Sequence, residues 1–195
     1  MSIKSVCVFC GSNYGLGTAF KEQAALLGTT LAQRGIELIY GGAHIGLMGA
    51  VADGALKAGG RVVGVLPRFL EEKELAHNGL SELILVDTMH QRKTIMNERC
   101  DAVITLPGGF GTMDELFEML TWAQLGLHKK PIGVLNVNGY YDSLIFLTEN
   151  MVAKGFIQPI HHESLIISAD IDTLLGQMND YKAPEMSAII TADET

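Results

Sequence analysis

Residues 102–115, "AVITLPGGFGTMDE", join an apolar run to three glycines and then to a pattern that is typical of a helix. The apolar run predicts a buried strand, and the glycines predict a turn that leads from this strand directly into the helix. Similar glycine-rich turns, "GSNYGLG" (11–17) and "GGAHIGLMG" (41–49), follow two earlier apolar runs. Parallel strands end at one edge of a sheet, so the three turns are expected to meet there.

Short, continuously apolar runs alternate with amphipathic segments along the chain, which predicts strands that are covered on both faces. The fold class is therefore α/β, a Rossmann-like doubly wound parallel sheet of about seven strands with helices on both faces. The predicted strands are Ser5–Cys10, Glu37–Tyr40, Arg61–Leu66, Leu83–Val86, Ala102–Leu106, Ile132–Leu135 and Leu165–Ser168. The predicted helices are Ala19–Arg34, Leu47–Lys57, Met89–Cys100, Thr112–Leu125, Tyr141–Lys154 and Ile171–Met178.

The length of 195 residues fits one compact domain. Residues 1–182 are expected to form a single nucleotide-binding catalytic domain, followed by a C-terminal tail at 183–195. The charged segment 67–82 is expected to be a mobile connection that flanks the site.

The net charge of −8 opposes a nucleic-acid surface, and no apolar run is long enough to cross a membrane. The N-terminus shows no secretory leader, which makes a cytoplasmic location the expectation. Cys7 and Cys10 lie within an apolar run and are predicted to be buried structural thiols. His161 and His162 are adjacent and lack metal-ligand spacing, so no metal site is expected.

The loop "PGGFGT" predicts a phosphate site. Gly108, Gly109 and Gly111 allow the backbone N–H groups to approach an anion, and Thr112 offers a hydroxyl at the helix start. The alternative is that the glycines only make tight turns. In both candidate loops the third glycine of G-x-G-x-x-G is missing, with Phe20 and Asp114 in its place, and no lysine precedes Thr112. These absences argue against a dinucleotide or triphosphate loop and favour a monophosphate.

Glu115 lies three residues after Thr112, which allows two interpretations. The pair could form a capping box, in which Thr112 caps the helix and Glu115 reaches back to a backbone N–H. Alternatively, Glu115 faces the phosphate crevice, where it contacts a ribose hydroxyl or a water, with Asp114 and Glu118 beside it.

Upstream, Met89, Arg92, Lys93 and Met96 share one helix face. The two methionines could pack against a base, and the two cations could meet phosphate or developing negative charge. The alternative is a partly exposed helix whose cations extend past two core methionines.

Four segments in the same order resemble the LOG family, the cytokinin riboside 5′-monophosphate phosphoribohydrolases that are often mislabelled as lysine decarboxylases. The segments are "CVFCGSNYG", "YGGAHIGLMGAVADGALKAGGRVVGVLP", "MHQRKTIM" and "GGFGTMDELFEMLTWAQLGLHKKPIGVLN". The resemblance implies a dimeric Rossmann-like hydrolase without a cofactor. It is expected to cleave a purine nucleoside 5′-monophosphate, with adenine or an N6-substituted adenine, to free base and ribose 5-phosphate.

Carried over by position, the family's catalytic arginine falls on Arg92 and its catalytic glutamate on Glu115. The expected substrate-binding residues are Gly11, Ser12, Gly42, Met89, Lys93, Gly108, Gly109, Gly111 and Thr112. Phe110 replaces the tyrosine that is common in this loop, and Asp114 replaces a neighbouring glutamate, which affects the expected substrate preference more than the reaction.

Two other functions stay open at this point. A non-catalytic sensor could bind a nucleotide monophosphate with the same loops. An amino-acid decarboxylase would need a Schiff-base lysine, for which Lys93 is the only candidate within a motif. The preferred base and the separate roles of Arg92 and Glu115 are not determined by the residues.

Overall fold

A computed structural model describes residues 2–71 and 75–184 and contains seven parallel strands in one sheet. The strands are β1 (Ser5–Phe9), β2 (Glu37–Tyr40), β3 (Val62–Pro67), β4 (Glu82–Val86), β5 (Ala102–Thr105), β6 (Ile132–Leu135) and β7 (Leu165–Ser168). The predicted strands are confirmed, with small shifts at their ends. The doubly wound α/β fold is confirmed with them.

Eight α-helices lie within the described residues. They are α1 (Ala19–Gln33), α2 (Gly46–Lys57), α3 (Arg68–Glu71), α4 (Met89–Arg99), α5 (Phe110–Gln124), α6 (Asp142–Ala153), α7 (Pro159–Glu163) and α8 (Ile171–Asp180). The six long helices were predicted, whereas the short helices α3 and α7 were not. None of the helices in the described ranges is long and apolar enough to span a membrane.

The strand order β4-β3-β2-β1-β5-β6-β7 changes direction between β1 and β5. The first four strands are added outward from β1, and the chain then crosses back so that β5 pairs with β1 from Val6–Ala102 to Phe9–Thr105. In such sheets a crevice opens beyond the carboxyl ends of the two strands at this switch point. The fold therefore directs ligands to the loops that follow β1 and β5.

The core has two parts, one on each face of the sheet. Side chains from α1, α2 and α8 cover one face, and side chains from α4, α5 and α6 cover the other. Cys7, Cys10 and Cys100 are buried free thiols, which confirms the structural interpretation of Cys7 and Cys10.

The connection at 67–82 has regular structure at its start, in α3, and Ala76 forms an isolated bridge with Ala43. Residues 72–74 of this connection lie outside the described residues. Of the predicted tail, only 183 and 184 are described. The division into a domain at 1–182 and a tail therefore stays a prediction.

Helices α1 and α2 approach each other through two glycines. A Cβ on Gly28 would lie 2.0 Å from the carbonyl oxygen of Val51, and a Cβ on Gly54 would lie 2.2 Å from that of Ala25. Both neighbours are backbone atoms, so a side chain at either position could be accommodated only if a whole helix moved.

We expect Gly54→Ala to lower the free energy of unfolding by about 1–3 kcal/mol, because the added methyl group overpacks this helix contact. Urea unfolding measures the change. Gly176→Ala is the matched control, since Gly176 is also inside a helix but has no atom within 4 Å of its added Cβ. That substitution should be neutral or should stabilise by up to about 1 kcal/mol. Equal stability of the Gly54→Ala variant and the wild type would contradict the close helix approach.

Candidate active site

A cavity of about 250 Å³ lies beyond the carboxyl ends of β1, β2 and β5. Gly11 and Ser12 from the loop after β1 form one side, and Gly41 from the loop after β2 forms another. The start of α5 and the buried face of α4 complete the lining. The three glycine-rich loops therefore meet at one site, as their positions after the strands predicted.

The loops touch one another through backbone atoms. Gly11 N–H donates to the carbonyl of Pro107 at 3.0 Å, and Gly11 C=O accepts from Leu47 N–H at 3.0 Å. A Cβ on Gly108 would lie 2.1 Å from Thr112 Oγ1, and a Cβ on Gly46 would lie 2.2 Å from the carbonyl carbon of Ser12. Glycine is therefore required at 108 because Thr112 and the backbone N of Gly11 leave no room for a Cβ, and not only because the residue lies in a turn.

Helix α5 begins at Phe110, with Gly109 as its N-cap and no side-chain capping bond. The helix thus begins two residues before the predicted Thr112, so Thr112 is not its N-cap and the capping box of Thr112 and Glu115 is wrong. The first intrahelical bond is donated by Met113 N–H to Gly109 C=O at 3.1 Å. Within the described residues, the N–H groups of Phe110, Gly111 and Thr112 have no protein acceptor. A helix start with free N–H groups favours an anion.

Two tyrosines hold the loop before α5 from behind. Tyr140 Oη donates to Gly108 C=O at 2.6 Å, and Tyr141 Oη donates to Leu106 C=O at 2.7 Å. These bonds hold the carbonyl groups of Leu106 and Gly108 in place. Neither tyrosine was predicted to support the site, since both follow β6 and no motif points to them.

The capping motif that α5 lacks is found at α4. Thr88 caps α4 by accepting from Gln91 N–H at 3.1 Å, and the Gln91 side chain accepts from Asp87 N–H at 2.9 Å. This firm start fixes the first turns of α4 and directs Met89, Arg92 and Met96 into the cavity lining. Three residues of the predicted shared face, Met89, Arg92 and Met96, line the cavity, whereas Lys93, the fourth, does not.

Arg92 is buried, although its side chain is charged. Its Nε donates to the carbonyl of Val65 at 3.1 Å, one residue beyond the last β2–β3 pair, Tyr40–Gly64. Its Nη1 lies 3.7 Å from Glu115 Oε1, and both side chains are 10% exposed. This distance is too long for a hydrogen bond, so the carboxylate and the guanidinium keep free acceptors and donors toward the cavity.

The pKa of Glu115 is raised to about 7, chiefly by burial. The Arg92 guanidinium lowers this pKa, and the neighbouring carboxylate of Asp114 raises it. A carboxyl group with a pKa near neutrality can exchange a proton with a bound water at working pH. Cys10 lines the same cavity, but burial raises the pKa of its thiol. The thiol therefore stays uncharged and does not act as a nucleophile.

Lys93 does not line the cavity. Its ammonium pairs with two carboxylates of α5, at 3.2 Å from Asp114 Oδ2 and 3.0 Å from Glu118 Oε1. Burial lowers the pKa of Lys93, but the hydrogen bonds to Glu118 and Asp114 outweigh burial and raise it. Lys93 therefore ties α4 to α5 beside the Arg92–Glu115 pair, and its expected contact with substrate stays a prediction.

The structure brings most of the predicted site residues together around the cavity. These are Gly11, Ser12, Met89, Arg92, Gly109, Gly111, Thr112 and Glu115. Gly108 lines an adjoining cavity of about 230 Å³ on the far side of the loop. Gly42 lies outside both, against Leu66 and Leu83, and its neighbour Gly41 takes the place in the lining.

Met48, in the first turn of α2, also lines the cavity and is absent from the predicted site residues, although it lies within the glycine-rich segment 41–49. Within 2–71 and 75–184, no group of three or more His, Cys, Asp or Glu side chains could hold a metal ion. The expectation of a metal-free site stays a prediction.

Comparison with known proteins gives matches over most of the chain. A family model described as "Possible lysine decarboxylase" matches residues 48–178. Cytokinin riboside 5′-monophosphate phosphoribohydrolase LOG7 of Arabidopsis thaliana is 43% identical over 95% of this chain and 85% of its own length. LOG1 of the same plant, with the same activity in its name, is 44% identical over 91% of this chain and 84% of its own.

Solved structures show the same fold at lower identity. The molybdenum cofactor binding protein of Rippkaea orientalis has a TM-score of 0.69 and 21% identity, and the match covers 92% of this chain and 98% of that one. The molybdenum cofactor carrier protein of Chlamydomonas reinhardtii has a TM-score of 0.68 and 19% identity, with coverages of 92% and 98%. These similarities establish the Rossmann-like fold.

The raised pKa of Glu115 predicts how stability depends on pH. Between the ordinary value of 4.5 and about 7, the folded protein holds a proton that the unfolded chain has lost. The free energy of unfolding therefore falls as pH rises through this window, by about 1.4 kcal/mol per unit of pKa difference. Glu115→Gln removes this dependence, so the variant should gain roughly 3 kcal/mol relative to wild type between pH 5 and pH 8.

Urea unfolding of both proteins at several pH values measures this gain. Glu149→Gln, the same chemical change at an exposed helical position, is the matched control. A stability difference between the Glu115→Gln variant and the wild type that does not change from pH 5 to pH 8 would contradict the raised pKa.

Proposed function

This chain belongs to the family of the cytokinin riboside 5′-monophosphate phosphoribohydrolases, and we propose that it hydrolyses the N-glycosidic bond of a purine nucleoside 5′-monophosphate. The products are the free base and ribose 5-phosphate. The observation that carries the proposal is a buried carboxyl group, Glu115, that faces Arg92 five residues into a helix whose first N–H groups are free.

The helix start binds the 5′-phosphate. The free N–H groups of Phe110, Gly111 and Thr112 and the positive end of the α5 dipole favour the dianion. Ser12, on the neighbouring loop, adds a hydroxyl from the opposite side. The phosphate does not react, so its binding energy serves to hold the sugar in place.

The ribose then lies next to Glu115, which is one and a half turns further along α5. Cleavage proceeds through a sugar with oxocarbenium character, as the bond between C1′ and the base nitrogen breaks. The Glu115 carboxylate stabilises this positive charge and accepts a proton from the water that attacks C1′. The electron pair of the broken bond leaves with the base, which takes up a proton.

Arg92 makes this chemistry available at neutral pH. Burial alone would hold Glu115 in the protonated form, and the guanidinium at 3.7 Å opposes that effect. Its remaining N–H groups bind the ribose hydroxyls or the departing base. Arg92 therefore positions the substrate and increases the fraction of Glu115 that is ionised near neutral pH.

The base packs among thioether side chains. Met48, Met89 and Met96 line the cavity, and their flexible, polarisable side chains suit a flat ring without fixing its substituents. The proposed base is adenine or an N6-substituted adenine, in keeping with the activity named for the relatives.

The decarboxylase in the family description finds no support in the site. A Schiff-base lysine needs a lowered pKa, whereas the carboxylates of Glu118 and Asp114 raise the pKa of Lys93. The cavity lining contains no lysine among the described residues. The proposed hydrolysis needs neither pyridoxal phosphate nor a metal.

We further propose that the protein is a cytoplasmic homodimer that binds neither nucleic acid nor membrane. The net charge of −8 supports the second part, because a surface of this sign repels phosphate backbones. The homodimer follows from the family resemblance, and light scattering should give twice the chain mass of 21.1 kDa.

Glu115→Gln should reduce base release from AMP by roughly 10²–10⁴-fold, because an amide neither accepts a proton from water nor offsets positive charge. Chromatography of the free base measures the rate. Glu118→Gln is the matched control, because Glu118 is on the same helix but outside the cavity lining. This substitution should reduce the rate of base release much less. If the folded Glu115→Gln variant retained turnover, Glu115 would have no catalytic role.

The phosphate site predicts a difference between AMP and adenosine. In the Glu115→Gln background, AMP at 100 times its Kd should stabilise the fold by about 2.7 kcal/mol, and adenosine at the same concentration by much less. Thermal unfolding with each compound measures both effects. Equal stabilisation by AMP and adenosine would show that the 5′-phosphate does not contribute to binding, which would contradict the proposed phosphate site.

A further inference from the structure

Gly41 lies directly beneath the guanidinium of Arg92. A Cβ built on Gly41 would be 1.9 Å from Arg92 Nη2 and 3.1 Å from its Cζ. The same Cβ would be 3.0 Å from the sulfur of Met48. The guanidinium therefore occupies the space that a side chain at position 41 would fill.

Backbone conformation does not account for glycine at this position. Gly42, the next residue, has a φ of +77° and needs glycine for its conformation, but Gly41 is not among the residues with positive φ. The atoms that crowd Gly41 belong to side chains and not to backbone. An alanine at 41 thus fits the chain but not the arginine.

We propose that Gly41 is a positioning residue for Arg92: the absence of a side chain at the end of β2 lets the guanidinium lie across the sheet edge and face Glu115. The proposal rests on the proposed function for its effect on turnover. Gly41 touches the arginine on one side, while the Val65 carbonyl holds Nε at 3.1 Å on another. The third side is open toward Glu115, where Nη1 lies at 3.7 Å.

A methyl group at 41 displaces a flexible side-chain end, so the fold is expected to survive. The guanidinium must then move away from β2. This movement either breaks its hydrogen bond to Val65 C=O or changes its separation of 3.7 Å from Glu115. Displacements of about 1 Å in a catalytic group can cost on the order of 100-fold in rate. The helix start that binds phosphate is not touched by this change, so most of the binding energy for the nucleotide is kept and the effect falls mainly on kcat.

The charge on Glu115 gives a second signal. The charged groups that act on this carboxyl are Arg92 and Lys93 from α4 and Asp114 and Glu118 from α5. The thiols of Cys7 in β1 and of Cys10 just after β1 also face it, and its charge raises the pKa of both. Arg92 is the largest of the influences that lower its pKa. Moving the guanidinium away therefore raises the pKa of Glu115 above the value of about 7 in the wild type.

The experiment uses Gly41→Ala, Arg92→Ala and the double variant, with Gly176→Ala as the glycine control away from the site. Circular dichroism checks the fold of each. Base release from AMP gives kcat and KM, and NMR of protein labelled with ¹³C at the glutamate carboxyl carbon follows the titration of Glu115. The Glu115→Gln spectrum assigns the signal.

We expect Gly41→Ala to be folded, with kcat reduced roughly 10–100-fold and KM little changed. In the Arg92→Ala background the same substitution should not reduce kcat further, because the guanidinium through which Gly41 acts is then absent. The Glu115 titration should shift to higher pH in the Gly41→Ala variant and stay at the wild-type value in the Gly176→Ala variant.

Three results would overturn the proposal. The first is an unfolded Gly41→Ala variant. The second is a further reduction of kcat by Gly41→Ala in the Arg92→Ala background as large as that in the wild type. The third is a Glu115 titration that does not shift. The titration does not depend on turnover. If the wild type released no base, the proposed function would fail, while the shift or its absence would still decide whether Gly41 positions Arg92.

Discussion

Backbone contact between three loops at the carboxyl edge of the sheet is the constraint on which the site depends. The loop after β1 lies between the loops after β2 and β5, joined to them by hydrogen bonds of Gly11 with Leu47 and Pro107. A side chain at Gly46 would clash with the backbone of Ser12, and one at Gly108 would clash with Thr112 and with the backbone N of Gly11, so either would force the loops apart. Because the loops touch, the free N–H groups of α5, the hydroxyl of Ser12 and the face of α4 surround one cavity. The parallel sheet brings the loops to the same edge, and the glycines let them close on each other.

Charge burial is the second consequence of this closure. Arg92 and Glu115 are almost fully enclosed, yet they stand 3.7 Å apart without a hydrogen bond. Such a pair contributes little to stability, since the cost of removing both groups from water exceeds their attraction at this distance. Its effect is instead on protonation, because burial raises and Arg92 lowers the pKa of Glu115, which comes to about 7. Lys93, Asp114 and Glu118 form an ion-paired layer on the outside of this pair and hold α4 against α5.

The strands, the long helices and the meeting of the glycine-rich loops could all be predicted from the sequence, because each follows from local hydrophobic pattern and from the geometry of parallel sheets. The start of α5 could not, since Thr112 and Glu115 match a capping box whether or not the helix begins there. The sequence does not distinguish Gly41 from Gly42, whereas in the structure Gly42 has a positive φ and Gly41 lies against the Arg92 guanidinium. Tyr140 and Tyr141 support the phosphate loop from a distant part of the chain, and such long-range contacts leave no local signal.

The most direct test of the account is to incubate the purified protein with AMP and, separately, with N6-isopentenyl-AMP, and to separate the products by chromatography. We expect free base and ribose 5-phosphate in equal amounts from at least one of the two nucleotides, with no added cofactor. A folded protein that binds AMP but releases no base from either nucleotide would contradict the proposed hydrolysis and would support a non-catalytic nucleotide sensor.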